Sequence, residues 1–252
     1  MKRRDDSGRS EGFTLLEVLM ALFIGLVVLG AVYASIWSGQ RSSAGVERKI
    51  LAQQDVRGAL QVMAAEISMA SFNPTFATGI WRNPPNAAIT PCTGTSANQG
   101  RKGIQEATPT SITVEMDVGR TGSIGDDNNE IIRYSFNATD QAIFRNVNCQ
   151  GEVSFLGDVA TAAQGTRNVR VINDILGINN NQTLPQTAVF RYYDAKNPPT
   201  ELFPATPADF ANIRRIDITL GVETEEVDPA TQQRKQMIYT TSVLVRNHVL
   251  NQ

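Results

Sequence analysis

The sequence predicts an α+β fold in which one long N-terminal helix packs on an antiparallel β-sheet head. Two observations lead to this prediction. No cluster of turn residues interrupts the chain from Phe13 until Asn73-Pro74, and the apolar residues of its second half follow helical spacing. Beyond Pro74, short segments that alternate apolar and polar residues are separated by turn residues, which is typical of β-strands. Helix and strands in separate parts of the chain favour the α+β class.

The composition excludes some classes of protein to which the chain could belong. The chain has 252 residues, of which 41% are apolar and 19% charged, and this is enough for one or two globular domains. With 23 basic and 25 acidic residues, it lacks the basic surplus of a nucleic-acid binder, so no nucleic-acid partner is expected. A mean hydropathy of −0.20 excludes a polytopic membrane protein and leaves room for a single span.

The first half of the helix is an apolar segment, residues 13–36, whose one ionisable side chain is Glu17. As a helix this segment is about 36 Å long, which exceeds the thickness of a bilayer's hydrocarbon core. Four basic residues precede it: Lys2, Arg3, Arg4 and Arg9. They favour a cytoplasmic N-terminus, although the bias is modest because basic residues also follow the segment.

Three interpretations of this segment compete, and the third starts from the cost of Glu17, which is about 2 to 4 kcal/mol inside a membrane unless the carboxylate is paired or near the interface. A cleaved secretory signal peptide would need a shorter apolar run and a better cleavage site than residues 34–36. An uncleaved anchor would give Glu17 no role. Cleavage between Gly12 and Phe13 would create an α-amino group that could neutralise Glu17.

The residues around the bond between Gly12 and Phe13 resemble the class III prepilin signal of type IV pilins and type II secretion pseudopilins. They are Gly12-Phe13-Thr14-Leu15-Leu16-Glu17-Val18-Leu19. The resemblance implies that a membrane-embedded prepilin peptidase cuts after Gly12 and methylates the new N-terminal Phe13. It also implies that the Glu17 carboxylate aligns subunits during assembly.

The second half of the helix, residues 37–73, has an amphipathic period. Its apolar stripe consists of Val46, Ile50, Val56, Leu60, Met63, Ile67 and Ala70. We therefore expect one continuous helix from about Phe13 to Phe72, near 90 Å long, with lipid or a fibre core around its first half and a globular head against its second.

The head should be rich in β-strands. Residues 74–109 are predicted to be irregular because they are rich in Gly, Pro, Asn, Thr and Ser. Strands are predicted at Ser111 to Val118, Glu130 to Asn137, Gln141 to Val147, Thr187 to Tyr193, Arg215 to Glu223 and Gln236 to Arg246. The last two alternate most clearly, and the Asp228-Pro229 turn between them favours an antiparallel pair.

These observations divide the chain into four parts. Residues 1–12 are a cytoplasmic leader, 13–36 the transmembrane and assembly half of the helix, 37–73 its amphipathic half, and 74–252 a periplasmic head. The resemblance to type IV pilins implies a location in the inner membrane as a single-pass protein, and afterwards in the pilus fibre, at its tip.

Loose hydrophobic patterns in three places resemble the PilW/PulJ group of pilin-like proteins. They lie at residues 61–74, at residues 190–194 and in the closing strands of residues 213–222 and 241–247. The resemblance implies a minor pilin that acts in pilus assembly and initiation in a tip complex. The implied partners are other minor and major pilins, prepilin peptidase, the inner-membrane assembly platform and, before assembly, membrane lipid. The alternatives are a J-type minor pseudopilin of type II secretion and a tip adhesin or DNA-uptake module.

Cys92 and Cys149 are the two cysteines of the chain, and both fall in the head. Two thiols in an oxidising compartment favour a disulfide. The loop that it closes would stabilise the head by roughly 3 to 4 kcal/mol in the chain-entropy model.

No motif predicts an enzyme, a cofactor or a metal site. His248 is the single histidine, so a zinc site of ordinary type or a catalytic triad has little to draw on. The acidic run at residues 125–130 departs from the EF-hand pattern, since Ile131 and Asn137 stand where glycine and glutamate are required. A solvated turn before a strand explains this run.

Overall fold

A computed structural model describes residues 13–83, 94–96, 98–160, 167–173, 188–202, 205–206, 208–229 and 231–250. The α+β prediction is confirmed, since one long N-terminal helix packs against two antiparallel sheets. The helix α1 spans Leu15–Ser68, 54 residues in all. It is continuous, as predicted, and a few residues shorter at each end because Thr14 caps its start and a turn through Ser71 follows its end.

The first sheet is an antiparallel meander of five strands in sequence order. These strands are β1 Ile104–Ala107, β2 Ser111–Glu115, β3 Ile131–Asn137, β4 Ala142–Val147 and β5 Glu152–Leu156. The prediction of an irregular segment was wrong at β1, and β5 was not predicted. Both are short strands that are set by pairing with a neighbour rather than by a strong pattern of their own.

The second sheet is built around β8, Arg215–Thr224. The strand β9, Gln236–Leu244, pairs along almost the whole of β8, so that β6, Val169–Val171, and β7, Phe190–Tyr193, pair with its opposite edge. The predicted antiparallel pair is confirmed, and so is the buried face of β8. Its inward residues Ile216, Ile218, Leu220 and Val222 are fully buried. A last helical turn, α2 Asn247–Leu250, follows β9.

The main core lies between the second half of α1 and the two sheets. The helix contributes Ala52, Val56, Ala59, Leu60, Met63 and Ile67, which are all buried and, apart from the adjacent pair Ala59 and Leu60, follow one another at three or four residues. Tyr134 of β3 and Phe190 of β7 are among the largest fully buried side chains that pack in this core. The amphipathic period of the sequence therefore becomes the contact between helix and head.

The end of α1 is fastened to the first sheet by a closed set of hydrogen bonds. The amide of Ser71 donates to the carbonyl oxygen of Glu115 at 2.8 Å, and the amide of Glu115 donates to the carbonyl of Gly103 at 2.8 Å. The amide of Gly103 in turn donates to the Ser71 hydroxyl at 2.9 Å. A Cβ atom at Gly103 would lie 2.3 Å from both the Glu115 carbonyl oxygen and the Ser71 amide nitrogen. Only glycine fits between these two backbones.

We predict that Gly103→Ala destabilises the head by about 3 kcal/mol, because backbone atoms rather than a flexible side chain must move. The measurement is the free energy of unfolding in detergent by chemical denaturation. Gly58→Ala is the matched control: it lies on the exposed side of α1 with no atom within 4 Å of the added Cβ. The control should stabilise the chain by about 0.5 to 1 kcal/mol. Equal effects at both positions would contradict the close approach at Gly103.

Candidate functional site

The N-terminal end of α1 is organised by Thr14 and Glu17. The Thr14 hydroxyl accepts a hydrogen bond from the Glu17 amide at 3.3 Å, and the Glu17 carboxylate accepts from the Thr14 amide at 2.9 Å and from its hydroxyl at 3.0 Å. This reciprocal arrangement is a capping box, which satisfies backbone donors at the first turn. It fixes the start of the helix and places Glu17 in that first turn.

The helix that follows is apolar on every side and is not covered by the head. Each large apolar side chain from Phe13 to Trp37 is at least 50% exposed. Among the described residues, α1 alone is long and apolar enough to cross a membrane by length and composition. Exposure of so much apolar surface to water is unfavourable, so this part of the helix needs lipid or other helices around it.

The head first touches the helix at Gly45. This glycine is buried, and a Cβ atom there would lie 2.9 Å from a carboxylate oxygen of Asp228, which lies between β8 and β9. One turn further, Arg48 forms an ion pair with Glu226 and donates to the carbonyl of Val227 at 2.9 Å. The connection between β8 and β9 therefore packs on α1 at the edge of the head nearest the apolar segment.

A polar cluster ties the last turn of the helix to the first sheet. Glu66 of α1 accepts hydrogen bonds from the Tyr134 hydroxyl and from Arg145, whose Nη2 lies 2.6 Å from a Glu66 oxygen. Burial, together with the Glu66 carboxylate, raises the pKa of the Tyr134 hydroxyl above its usual range. Since these bonds join residues of α1, β3 and β4, displacement of the helix must carry the head with it.

Residues 8–33 match the family described as the prokaryotic N-terminal methylation motif. The chain carries a class III signal. This match, together with the long apolar helix and the antiparallel head, supports a protein of the type IV pilin and pseudopilin kind. Such a protein has a structural rather than an enzymatic role, and its apolar helix fits anchoring in the inner membrane. No curated protein and no solved structure gives a significant match to the chain.

The class III signal implies that this chain is processed by prepilin peptidase and assembled with other pilins. Gly12 lies outside the described residues, so cleavage at the bond between Gly12 and Phe13 stays a prediction. Phe13 itself is 87% exposed at the start of the helix. Glu17 is placed four residues from Phe13, and its carboxylate is bound by Thr14. This partner was not predicted, although the Thr-x-x-Glu spacing is the signature of a capping box.

Cys149 lies in the connection between β4 and β5, where it is 6% exposed and adopts a left-handed φ of 58°. Cys92 lies outside the described residues, so the predicted pairing of the two cysteines stays a prediction.

The acidic run at residues 125–130 forms a loop closed by one carboxylate. Oxygen atoms of Asp126, Asp127 and Glu130 lie within 4.8 Å of one another. Those of Glu130 accept hydrogen bonds from the backbone amides of Gly125 at 2.7 Å, Asp127 at 3.1 Å and Gly119 at 3.2 Å. Glu130 therefore stabilises the turn that precedes β3.

His248 contacts Ser71, a pairing that sequence reasoning missed because the two lie 177 positions apart. The Ser71 hydroxyl lies 2.6 Å from His248 Nδ1, and His248 Nε2 lies 2.8 Å from the carbonyl oxygen of Phe210. Since that carbonyl is an acceptor, Nε2 carries the proton and Nδ1 accepts from Ser71. Both residues are fully buried, so the pair fastens the C-terminus to the end of α1.

Burial lowers the pKa of His248 to about 4, below its ordinary value of 6.5. Protonation would also break the hydrogen bond that Nδ1 accepts from Ser71. The unfolded chain therefore binds a proton at a higher pH than the folded chain does. The stability that His248 contributes is fully present above pH 6.5 and is lost as the pH falls towards 4.

We predict that the wild-type chain loses on the order of 3 kcal/mol of unfolding free energy through His248 as the pH falls from 7 to 4. His248→Gln, which cannot titrate, should be less stable at pH 7 and should lack this part of the pH dependence. Chemical denaturation in detergent at several pH values measures both. Gly58→Ala keeps His248 and should show the wild-type slope. An unchanged slope in His248→Gln would contradict the lowered pKa.

Proposed function

We propose that this chain is a minor pilin of a type IV pilus, cut after Gly12 by prepilin peptidase, methylated at Phe13 and assembled at the fibre tip. The observation that carries the proposal is the methylation motif at the start of one unbroken helix. The first part of that helix is bare and apolar, and the second part is bound to a β-rich head.

The different surfaces of the two halves of α1 support a subunit that moves from the membrane into a fibre. Before assembly, residues 13–36 lie in the inner membrane with the leader in the cytoplasm and the head in the periplasm. After extraction, the same apolar surface packs against the helices of neighbouring subunits. Packing replaces lipid contacts with helix contacts of similar polarity, so no new apolar surface has to be created.

The position of Glu17 supports a role in aligning each new subunit as it joins the fibre. Its carboxylate is held at the first turn of α1 by Thr14, close to the N-terminus that cleavage would create. A free α-amino group on Phe13, in the same chain or in a neighbouring one, would offset the charge of Glu17 in an apolar environment. A new subunit is then stabilised only where the carboxylate and an amino group meet, which aligns it.

The head supports a minor rather than a shaft subunit through the segments that resemble the PilW/PulJ group. The segment at residues 190–194 contains β7, and the closing segments contain parts of β8 and β9, so that these patterns belong to one sheet. In this proposal the chain joins other minor pilins in a complex that primes polymerisation, and ATPases separate from this chain supply the energy. The disulfide between Cys92 and Cys149 is part of the proposal.

We predict that the protein isolated from host membranes begins at an N-methylated Phe13. Intact mass and N-terminal sequencing measure this start in strains with and without the host's prepilin peptidase. Without the peptidase the chain should begin at Met1, because the leader then stays attached. A Met1 start in both strains would contradict processing and would leave a simple membrane anchor.

We predict that deletion of the gene abolishes or sharply reduces surface pili, and that the wild-type gene restores them. Glu17→Gln should be processed normally but should fail to restore piliation, because an amide keeps the capping box and loses the charge. Thr14→Ser, which keeps both the cap and the charge, is the matched control and should restore pili. Wild-type piliation after deletion, together with a loss of protein export, would favour the type II secretion alternative.

A further inference from the structure

Three side chains form a ladder on one face of α1 at the end of its apolar segment. Tyr33, Trp37 and Arg41 are four residues apart, which places them one above another on the helix surface. The ring centroids of Tyr33 and Trp37 are 6.4 Å apart. The guanidinium carbon of Arg41 lies 3.9 Å from the centroid of the Trp37 ring. All three are exposed, so the head leaves this aromatic-arginine ladder uncovered.

The position of the ladder along the helix matches the outer edge of a bilayer. Residues 18–36, between Glu17 and Trp37, form about 28 Å of helix, close to the thickness of a hydrocarbon core of about 30 Å. When Glu17 lies at the inner boundary, Trp37 therefore reaches the outer boundary, where Trp and Tyr side chains are enriched. Arg41 lies about 6 Å further along the axis, within a headgroup layer about 5 to 7 Å thick.

The head leaves room for that layer. It begins to cover the helix at Gly45, which lies about 12 Å beyond Trp37 along the axis. Residues 38–43 between them are all exposed. The headgroups can therefore surround this part of α1 without displacing any contact between helix and head.

The chemistry of the ladder favours phosphate. An arginine guanidinium carries a fixed positive charge and a planar set of donors that matches the oxygens of a phosphodiester. The Trp37 ring beneath it holds the guanidinium through a cation-π contact at the place where lipid phosphates lie.

We propose that the aromatic-arginine ladder binds phospholipid at the outer surface of the inner membrane, with Arg41 donating to lipid phosphate and Tyr33 and Trp37 in the interface. This proposal rests on the membrane-inserted stage of the proposed function and adds the ligand and the depth of the chain. It fixes how far the helix stands out of the bilayer before assembly.

The test uses Trp37 as a reporter of depth. The chain has two tryptophans, so Trp81→Phe in the mature chain, residues 13–252, leaves Trp37 alone. This protein is placed at low density in vesicles of phosphatidylcholine and phosphatidylglycerol, or in phosphate-free vesicles of digalactosyldiacylglycerol. Methyl esters of stearic acid with a nitroxide near the ester or near the chain end then quench the Trp37 fluorescence.

In phospholipid, the nitroxide near the ester should quench Trp37 at least about twofold more strongly than the one near the chain end. Arg41→Gln should lower this ratio about twofold in phospholipid and leave it unchanged in galactolipid, because galactolipid offers no phosphate. Lys49→Gln is the matched control, since it removes a positive charge from the same helix about 12 Å beyond Arg41. It should change neither ratio.

A second variant allows the same measurement if Trp81→Phe does not fold. Trp37→Phe in the otherwise wild-type chain leaves Trp81, and subtraction of its signal from the wild-type signal gives the quenching of Trp37. Circular dichroism shows whether each variant keeps the helix and the sheets.

The outcomes separate this proposal from the function on which it rests. No quenching by either nitroxide would show that the helix is not inserted and would overturn both. Stronger quenching from the chain end, or an equal effect of Arg41→Gln in both kinds of vesicle, would overturn the phosphate contact and leave insertion standing. Shielding of Trp37 that increases with protein density would assign the ladder to contacts between copies of the chain and would also overturn the proposal.

Discussion

The rest of the structure depends on the packing of one face of α1 against both sheets. Residues 52–67 supply the apolar stripe, and Glu66 adds a polar attachment to Tyr134 and Arg145. Without this contact the two sheets would lose the surface that they share, and the head would lose its link to the membrane half of the helix. Because α1 runs through both halves without a break, a force on the apolar half reaches the head through backbone hydrogen bonds.

Two buried ionisable groups near the end of α1 respond to pH in opposite directions. Burial raises the pKa of Glu115 to about 8, so its contribution to stability is lost as the pH rises from 4.5 towards 8. The contribution of His248 is lost as the pH falls from 6.5 towards 4. The two windows overlap between pH 4.5 and 6.5, where the effects oppose each other. The Ser71 amide donates to the backbone carbonyl of Glu115 and the Ser71 hydroxyl contacts His248, so both ionisable residues lie beside the attachment of the helix end.

The sequence was most informative where a pattern repeats over many residues. The helix and the β8-β9 pair were predicted because α1 and β8 bury one face and β9 alternates exposed with less exposed residues, each over at least nine positions, and the periods of helix and strand differ. The short strands β1, β5 and β6 were missed because partners elsewhere in the chain fix three to five residues each. The contacts of Ser71 with His248 and of Glu66 with Arg145 join residues 177 and 79 positions apart, and no local period marks them.

The cost of the Glu17 charge in a membrane depends on its local hydrogen bonds and on its depth in the bilayer. As a buried charge in lipid it would be costly, but the capping box supplies two donors from Thr14, and the first turn of the helix lies at the edge of the apolar segment. If Trp37 marks the outer boundary of the bilayer, the length of helix between the two residues puts Glu17 at the inner one. The carboxylate is then tolerable before assembly. Once the helix leaves the bilayer for a fibre, the interface that solvated this carboxylate is lost. Pairing with an amino group of a neighbouring subunit then stabilises the carboxylate more strongly than it would at the interface.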